Sequence, residues 1–474
     1  MSRSDHMTID QAGAELRAGR VSSLDLVERS LQTIDALEGE FHAFISYDAE
    51  LARTTASALD DELKRGHSRG PLHGIPVSVK DNIATADFPN TFGSKIGRGY
   101  QAKADAEVVR KLKAAGAIVL GTNNLHEFAL GPTNDNAEFG SVPNPWDRSR
   151  IPGGSSGGSA VAVAIGEVFA SLGSDSGGSV RMPAAMCGLV GLKPTHGRVS
   201  LRGLLGGAPS MDHIGPLART VRDAAYVHDA IAGHDPEDPE SRPGEAPPTA
   251  SAVGESISGL RIGVIANDCM GPLHPEIAAA VTRAASDLER AGARITPTSI
   301  DSVEMAPFAA VAIAYPEVGA AHRSWIRERR ADYSDEIRPL IDLGQIFSAR
   351  QYLLAQRSRR HLVRQLDRAL EPFDLILTPT TAITAGRRDG VAEPLPGDSE
   401  TSVLFQLIRF TVLFNMTGYP ALSVPCGLDS RGLPIGLQLA GRPDSEALLL
   451  RVAGALEEIR PWSLPSLGVD VGRA

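Results

Sequence analysis

From Ser22 onward, the stretch SSLDLVERSLQTIDALEG places Leu24, Leu26, Val27, Leu31, Ile34 and Leu37 at the three- and four-residue spacing of one helical face. An amphipathic helix is predicted there, with the Ser22 or Ser23 hydroxyl available to cap its first turn. The period then changes. GIPVSVKDNI is a short apolar run ending in charge, which predicts a strand closing at Lys80. ADAEVVRKLKAAGAIVLGT predicts a helix stopped at Gly116 and an apolar strand from Ala117 to Leu120. Ser159 to Leu172 consists of small apolar residues, the pattern of a tightly packed buried helix running into a buried strand.

A stretch rich in Pro, Glu and Asp from His234 to Pro248 predicts an exposed loop, followed by the strand RIGVI and the long helix EIAAAVTRAASDLERAG. Residues 302–372 predict mostly helix, and strands return at FDLILTP, ALSVP and IGLQLAG. Helix and strand alternate as in α/β folds, with the sheet completed by the C-terminal third, and no internal repeat is visible.

The chain has 474 residues, 42% of them hydrophobic, enough to bury a large core. Lys and Arg total 47 against 57 Asp and Glu, a formal charge of −10, so nothing draws the chain to nucleic acid or an anionic membrane. The N-terminal MSRSDHMTIDQAGAEL lacks an apolar core, and no run of about 18 apolar residues occurs, so a cytoplasmic protein is expected. Cys187, Cys269 and Cys426 are odd in number and widely spaced, which suits reduced thiols. Cys426 follows Pro425 with no nearby His and is expected to pack rather than react.

Chemistry concentrates in two Gly/Ser loops. IPGGSSGGSA, residues 151–160, sits between a Pro-rich loop and the small-residue helix. A phosphate cradle would need the Gly-Lys-Ser/Thr ending, which is absent. Gly153, Ser155 and Gly157 match the nucleophile elbow G-x-S-x-G, but that motif follows a buried strand and NPWDRSRIP precedes it here. A flexible linker is the plain alternative, and the apolar helix directly behind it speaks against one. The second loop, GSDSGGSVRMPA, begins at the end of an apolar run and places Ser179 behind two glycines. Consecutive amides at Ser176, Gly177, Gly178 and Ser179 suit an oxyanion hole, where fixed donors meet negative charge that develops in the transition state.

A serine nucleophile needs a base. His73, His126, His196 and His213 lie in loops without an obvious Asp partner. Lys80 ends an apolar strand, where loss of water lowers a lysine's pKa towards the neutral form; the plain alternative is an exposed strand-end lysine.

HGIPVSVKDNI, NPWD, GGSSGGSA, GSDSGGSVRMPAAMCGLVGLKPTHGRVS and DHIGP, with LTPT and GYPALSVPCG downstream, resemble the amidase signature family in order and spacing over nearly the whole chain. The resemblance implies a single amidase domain over residues 1–474, a mixed central β-sheet flanked by helices on both faces. Its core, 60–225, would carry the catalytic loops, with an exposed loop at 234–258 and a substrate-side helical region at 302–372. It further implies Lys80 as base, Ser155 as relay behind a cis Gly154–Ser155 peptide, Ser179 as nucleophile, and oxyanion amides at Ser176, Gly177, Gly178 and Ser179. Asp175 and Arg181 are then expected to hold the loop. Acyl transfer would run through an acyl-enzyme, with no metal or organic cofactor.

The family acts on amides of small acids, aryl acylamides, fatty acid amides, carbamates and glutaminyl side chains. Its acyl pocket draws on the stretch matching HEFALGPTNDNAEFG, where Gly131, Pro132 and Thr133 replace a Gly-Ser-Ser/Thr common in relatives. The expected substrates are neutral amides, anilides or carbamates, handled by a monomer or homodimer. Two alternatives remain: the A subunit of the bacterial glutamyl-tRNA(Gln) amidotransferase, and a non-catalytic scaffold that kept the fold.

Overall fold

In the computed structural model, Ser22 caps the helix Ser23–Phe41: its hydroxyl accepts from the Asp25 amide, and the Asp25 carboxylate accepts from the Ser22 amide. The structure describes residues 7–265, 271–390, 395 and 403–465. Cys269 lies outside them. Gly116, with φ +83°, ends the turn after Glu107–Ala114 and feeds the strand Ile118–Asn123, which runs further at its end than the apolar run alone suggests. The small-residue segment is the helix Gly157–Ala164 followed by a strand Ala170–Ser174, every residue of both buried.

Among the described residues eleven strands form one sheet. In chain order they are β1 (Phe44–Tyr47), β2 (Pro76–Lys80), β3 (Ile118–Asn123), β4 (Ala170–Ser174), β5 (Val190–Lys193) and β6 (Ile214–Ala218). Then follow β7 (Arg261–Ile265), β8 (Arg294–Thr298), β9 (Leu375–Pro379), β10 (Ala421–Leu428) and β11 (Pro434–Gly441). The spatial order is β1-β3-β2-β4-β6-β5-β10-β11-β9-β7-β8. Parallel pairs β3–β2–β4 and β9–β7–β8 flank an antiparallel centre, which makes the sheet mixed.

Side-chain alternation distributes the strands between cores on opposite faces. Val119 joins the cluster built with the helices Val221–Ile231, Pro275–Arg290 and Glu446–Ile459, whereas Ile118 and Leu120 join the one containing Ser23–Phe41 and Gly157–Ala164. Leu375 and Leu377 likewise face the first cluster, and Ile376 faces a third, built by the helices Ala306–Ala321, Ile337–Ile346 and Ala349–Leu370. Helices therefore cover both faces.

Residues 234–248 hold no helix or strand, but Asp235 and Asp238 are buried. Asp235 accepts from Ser200 and Arg202, and Asp238 from the Leu201 amide, so these two side chains pin an otherwise largely exposed segment to the body. The two described cysteines, Cys187 and Cys426, are buried and unpaired. Burial raises both thiols, Cys426 to about 12, which makes them poor nucleophiles.

Candidate active site

Strand β2 delivers Lys80 from its C-terminal end into a fully buried position between β3 and β4. Its Nζ lies 2.8 Å from Ser155 Oγ and 2.9 Å from Ser174 Oγ. Asn82 donates to the same Ser174 hydroxyl at 3.1 Å, which fixes it. Burial lowers Lys80 from 10.5 to about 7, against the opposing pull of Asp175 and Asp212. At neutral pH a large share of this amine is therefore unprotonated and able to accept a proton.

Ser155 precedes the helix Gly157–Ala164 and follows a cis Gly154–Ser155 peptide. Glycine at 154 is a matter of space. A Cβ there would stand 2.9 Å from Gly131 O and from the Pro132 carbonyl carbon, so the first Gly/Ser loop and the 131–134 loop are in backbone contact. Asn134 locks the pair by accepting from the Gly157 amide at 2.8 Å.

The second loop hangs from one buried ion pair. Arg181 donates to both carboxylate oxygens of Asp175 at 2.9 and 3.0 Å, and neither residue is exposed. Burial would raise Asp175, but Arg181 outweighs it and, with Asn415 and Lys193, holds the carboxyl well below the usual range. Arg181 also reaches Thr411 O, Gln438 and Asn415. Asp175 accepts from the amides of Gly178 and Val180, and Thr411 donates to Gly177 O, so the loop's path is tied at several points.

The four expected oxyanion donors divide. Gly178's amide is already used on Asp175, which removes it from the set. The amides of Ser176, Gly177 and Ser179 bond no protein atom among the described residues. Ser176 Oγ donates to Asp212, a carboxyl that burial raises to about 6.

Ser176, Gly177 and Ser179 form part of the wall of a cavity of about 330 Å³. Gly131 and Pro132 line it and Thr133 does not: the Thr133 hydroxyl bonds His126 Nδ1 at 3.3 Å. The rest of the wall is Ala129, Leu130, Met182, Met211, Ala310, Val311, Ala314, Leu340, Leu404, Ile408 and Val412, with Tyr315 and Glu336. From residues 302–372 the wall takes Ala310, Val311, Ala314, Tyr315, Glu336 and Leu340.

Among the described residues no ring nitrogen of the four histidines bonds Ser155 or Ser179; the contact that exists is main-chain, the His126 amide donating to Ser155 O at 3.2 Å. His73 bonds Leu59 O and the Arg69 amide, His196 bonds Pro209 O, and His213 bonds Met211 O and Asp175 O. Burial lowers both His196 and His213. Among the described residues no cluster of three His, Cys, Asp or Glu side chains could hold a metal ion, and no helix is long and apolar enough to cross a membrane. Ser174, Asn82, Asp212 and Asn415 are the partners that sequence reasoning missed. A hydroxyl closing an apolar strand is the one signal that pointed at Ser174.

The Amidase family model matches residues 25–450. The chain belongs to the Amidase family. It is 41% identical to the A subunit of the glutamyl-tRNA(Gln) amidotransferase of Anaeromyxobacter sp. strain K, over 96% of each chain. Among solved structures it superposes on a chain from a vestigial complex tied to the origins of an s-triazine catabolic enzyme, with TM-score 0.92 and 35% identity over 97% of this chain and 100% of that one. The peptide amidase of Stenotrophomonas maltophilia matches with TM-score 0.86 and 31% identity, over 98% and 99%.

Proposed function

We propose that the protein hydrolyses the C–N bond of neutral linear amides, anilides or carbamates whose acyl part is apolar. Ser179 attacks the carbonyl, Ser155 passes its proton towards neutral Lys80, and the amides of Ser176, Gly177 and Ser179 receive the oxyanion. The relay then returns the proton to the leaving amine, and water activated by the same groups releases the acid. The contact between Lys80 and Ser155 supports the proton path, and the unused amides opposite an open cavity support the acyl-transfer step.

The observation that carries the substrate reading is the cavity wall. Its described residues include no Lys, Arg or His. A free carboxylate entering it would lose water without gaining a cation, a penalty of several kcal/mol. An apolar acyl chain gains about 0.8 kcal/mol per buried methylene, or about fourfold in kcat/KM, until the space is filled.

A second reading is favoured by likeness. The identity to A subunits of glutamyl-tRNA(Gln) amidotransferases over nearly the full chain supports a glutaminase that hands ammonia to a partner. Glutamine carries a carboxylate, and the cavity supplies no cation for it. Purified protein offered glutamine beside anilides of increasing acyl length separates the two. We expect kcat/KM to climb with each methylene and glutamine to be turned over poorly. Efficient ammonia release from glutamine, with the anilides untouched, would transfer the assignment to the second reading.

A further inference from the structure

Glu336 is the one charged side chain lining the catalytic cavity among its described residues, and it also lines two polar cavities next door. It stands at the N-terminal end of the helix Ile337–Ile346, its side chain 57% exposed. The neighbouring charges are committed elsewhere. Glu127 accepts from Ser94 and from the Ser334 amide, Asp135 accepts from Ser141, and Arg338 pairs with Asp335 at 3.0 Å while donating to Tyr333 O. Among the described residues Glu336 has only His126, whose Nε2 lies 3.4 Å from Oε1.

His126 is completely buried, and its Nε2 has no partner of normal hydrogen-bond geometry. The ring is fixed on its other side by Thr133 and pressed against Gly131, where a Cβ would come within 2.2 Å of it. Gly131 faces the catalytic cavity, so the wall there is one glycine thick, with a buried imidazole behind it and the Glu336 carboxylate at its edge. A half-exposed carboxylate with one loose contact, lining a mostly apolar space, leaves lone pairs free for a donor brought by the ligand.

We propose that Glu336 is a specificity-determining residue that selects amides whose apolar acyl chain ends in a cationic group, an ammonium or a guanidinium. The methylenes occupy the apolar wall, and the cation meets Glu336 at the rim. The idea rests on the amidase reading above and departs from it only in the charge at the far end of the apolar acyl chain. Loss of the cation removes binding common to ground and transition states, so the effect falls mainly on KM.

The test compares ω-aminoacyl anilides of increasing chain length with their isosteres carrying methyl in place of ammonium. Wild-type protein should prefer the cationic member by about tenfold in kcat/KM at one chain length and lose the preference at shorter ones. Glu336→Gln should bring the ratio of cationic to neutral turnover close to one, and Glu336→Asp should restore part of it at a longer chain length. Taking the ratio cancels any general loss of activity in a variant. Should Glu336→Gln fold poorly, wild-type protein still decides, because added salt screens a rim ion pair and must erode the cationic preference while sparing the neutral series. Hydrolysis of the neutral anilides without a cationic preference, or a preference indifferent to both Glu336→Gln and salt, overturns this proposal alone. Turnover of neither series overturns it together with the amidase reading.

Discussion

Replacing Lys80 by Met keeps an unbranched side chain one atom shorter and removes its titration, which gives two signatures that can be worked out beforehand. The interval from 10.5 to about 7, at about 1.36 kcal/mol per pH unit, makes protonated Lys80 on the order of 5 kcal/mol costlier in the folded protein than in the unfolded chain. Below pH 7 both states are protonated and the folded protein carries that cost in full. Between about pH 7 and 10.5 only the unfolded chain binds the proton, so stability rises with pH; above 10.5 the cost is gone. Lys80→Met should therefore gain most over wild type in urea denaturation below pH 7, and progressively less above it.

The second signature is kinetic. With a pKa of about 7, the neutral fraction of Lys80 is about one tenth at pH 6, one half at pH 7 and nine tenths at pH 8. An ordinary lysine at 10.5 would be neutral in only about one molecule in 3,000 at pH 7. Single-turnover acylation should thus rise about tenfold per pH unit well below pH 7 and level off above it. Two buried carboxyls titrate nearby, Asp81, raised by burial to about 7, and Asp212 at about 6. Lys80→Met retains both. A rising limb that survives in Lys80→Met, or a wild-type rate still climbing beyond about pH 9, would refute the assignment of Lys80 as a base neutralised by burial.

Ser155→Ala and Lys80→Ala should each slow acylation by about 100- to 10,000-fold, and the double variant should be scarcely slower than the poorer single, because the two act as one path; stopped-flow acylation measures all three. Asp175→Asn leaves the buried Arg181 guanidinium without its counter-charge and should cost about 3–5 kcal/mol in chemical denaturation. Gly131→Ala drives a methyl group into the His126 ring and should cost about 1–3 kcal/mol, with a higher KM for anilides, since the displaced wall belongs to the cavity. Single replacement of His73, His196 or His213 by Gln should leave acylation within about tenfold, because none touches the proposed proton path.

Local chemistry was readable because its signals are local. Ser22 announces its helix by a capping hydroxyl three residues before an acid, and Gly116 stops the next one by adopting a positive φ. Lys80, Ser155 and Ser179 were singled out by what surrounds them, an apolar strand end and two Gly/Ser loops around one buried helix and strand, while their proposed roles came from the resemblance to the amidase signature family. Strands β1, β5, β6 and β8 were not read from the sequence; β8, RITPT, is an edge strand that is half exposed and tolerates Pro297. Pairings set by the tertiary fold left no trace in the pattern either. Arg181 meets Gln438 across 257 residues, and the cavity joins Ala310, Glu336 and Ile408 to a loop near residue 131. That Gly178's amide is spent on Asp175 follows from the loop's conformation, which composition does not carry.

The central claim is that Ser179, driven by Lys80 through Ser155, forms the covalent acyl-enzyme. Labelling with a fluorophosphonate followed by peptide mapping tests it most directly. The label should sit on Ser179, vanish in Ser179→Ala, and reach the same residue slowly in Lys80→Ala and Ser155→Ala. A label on Ser155, or amide hydrolysis that persists at wild-type rate in Ser179→Ala, would contradict it.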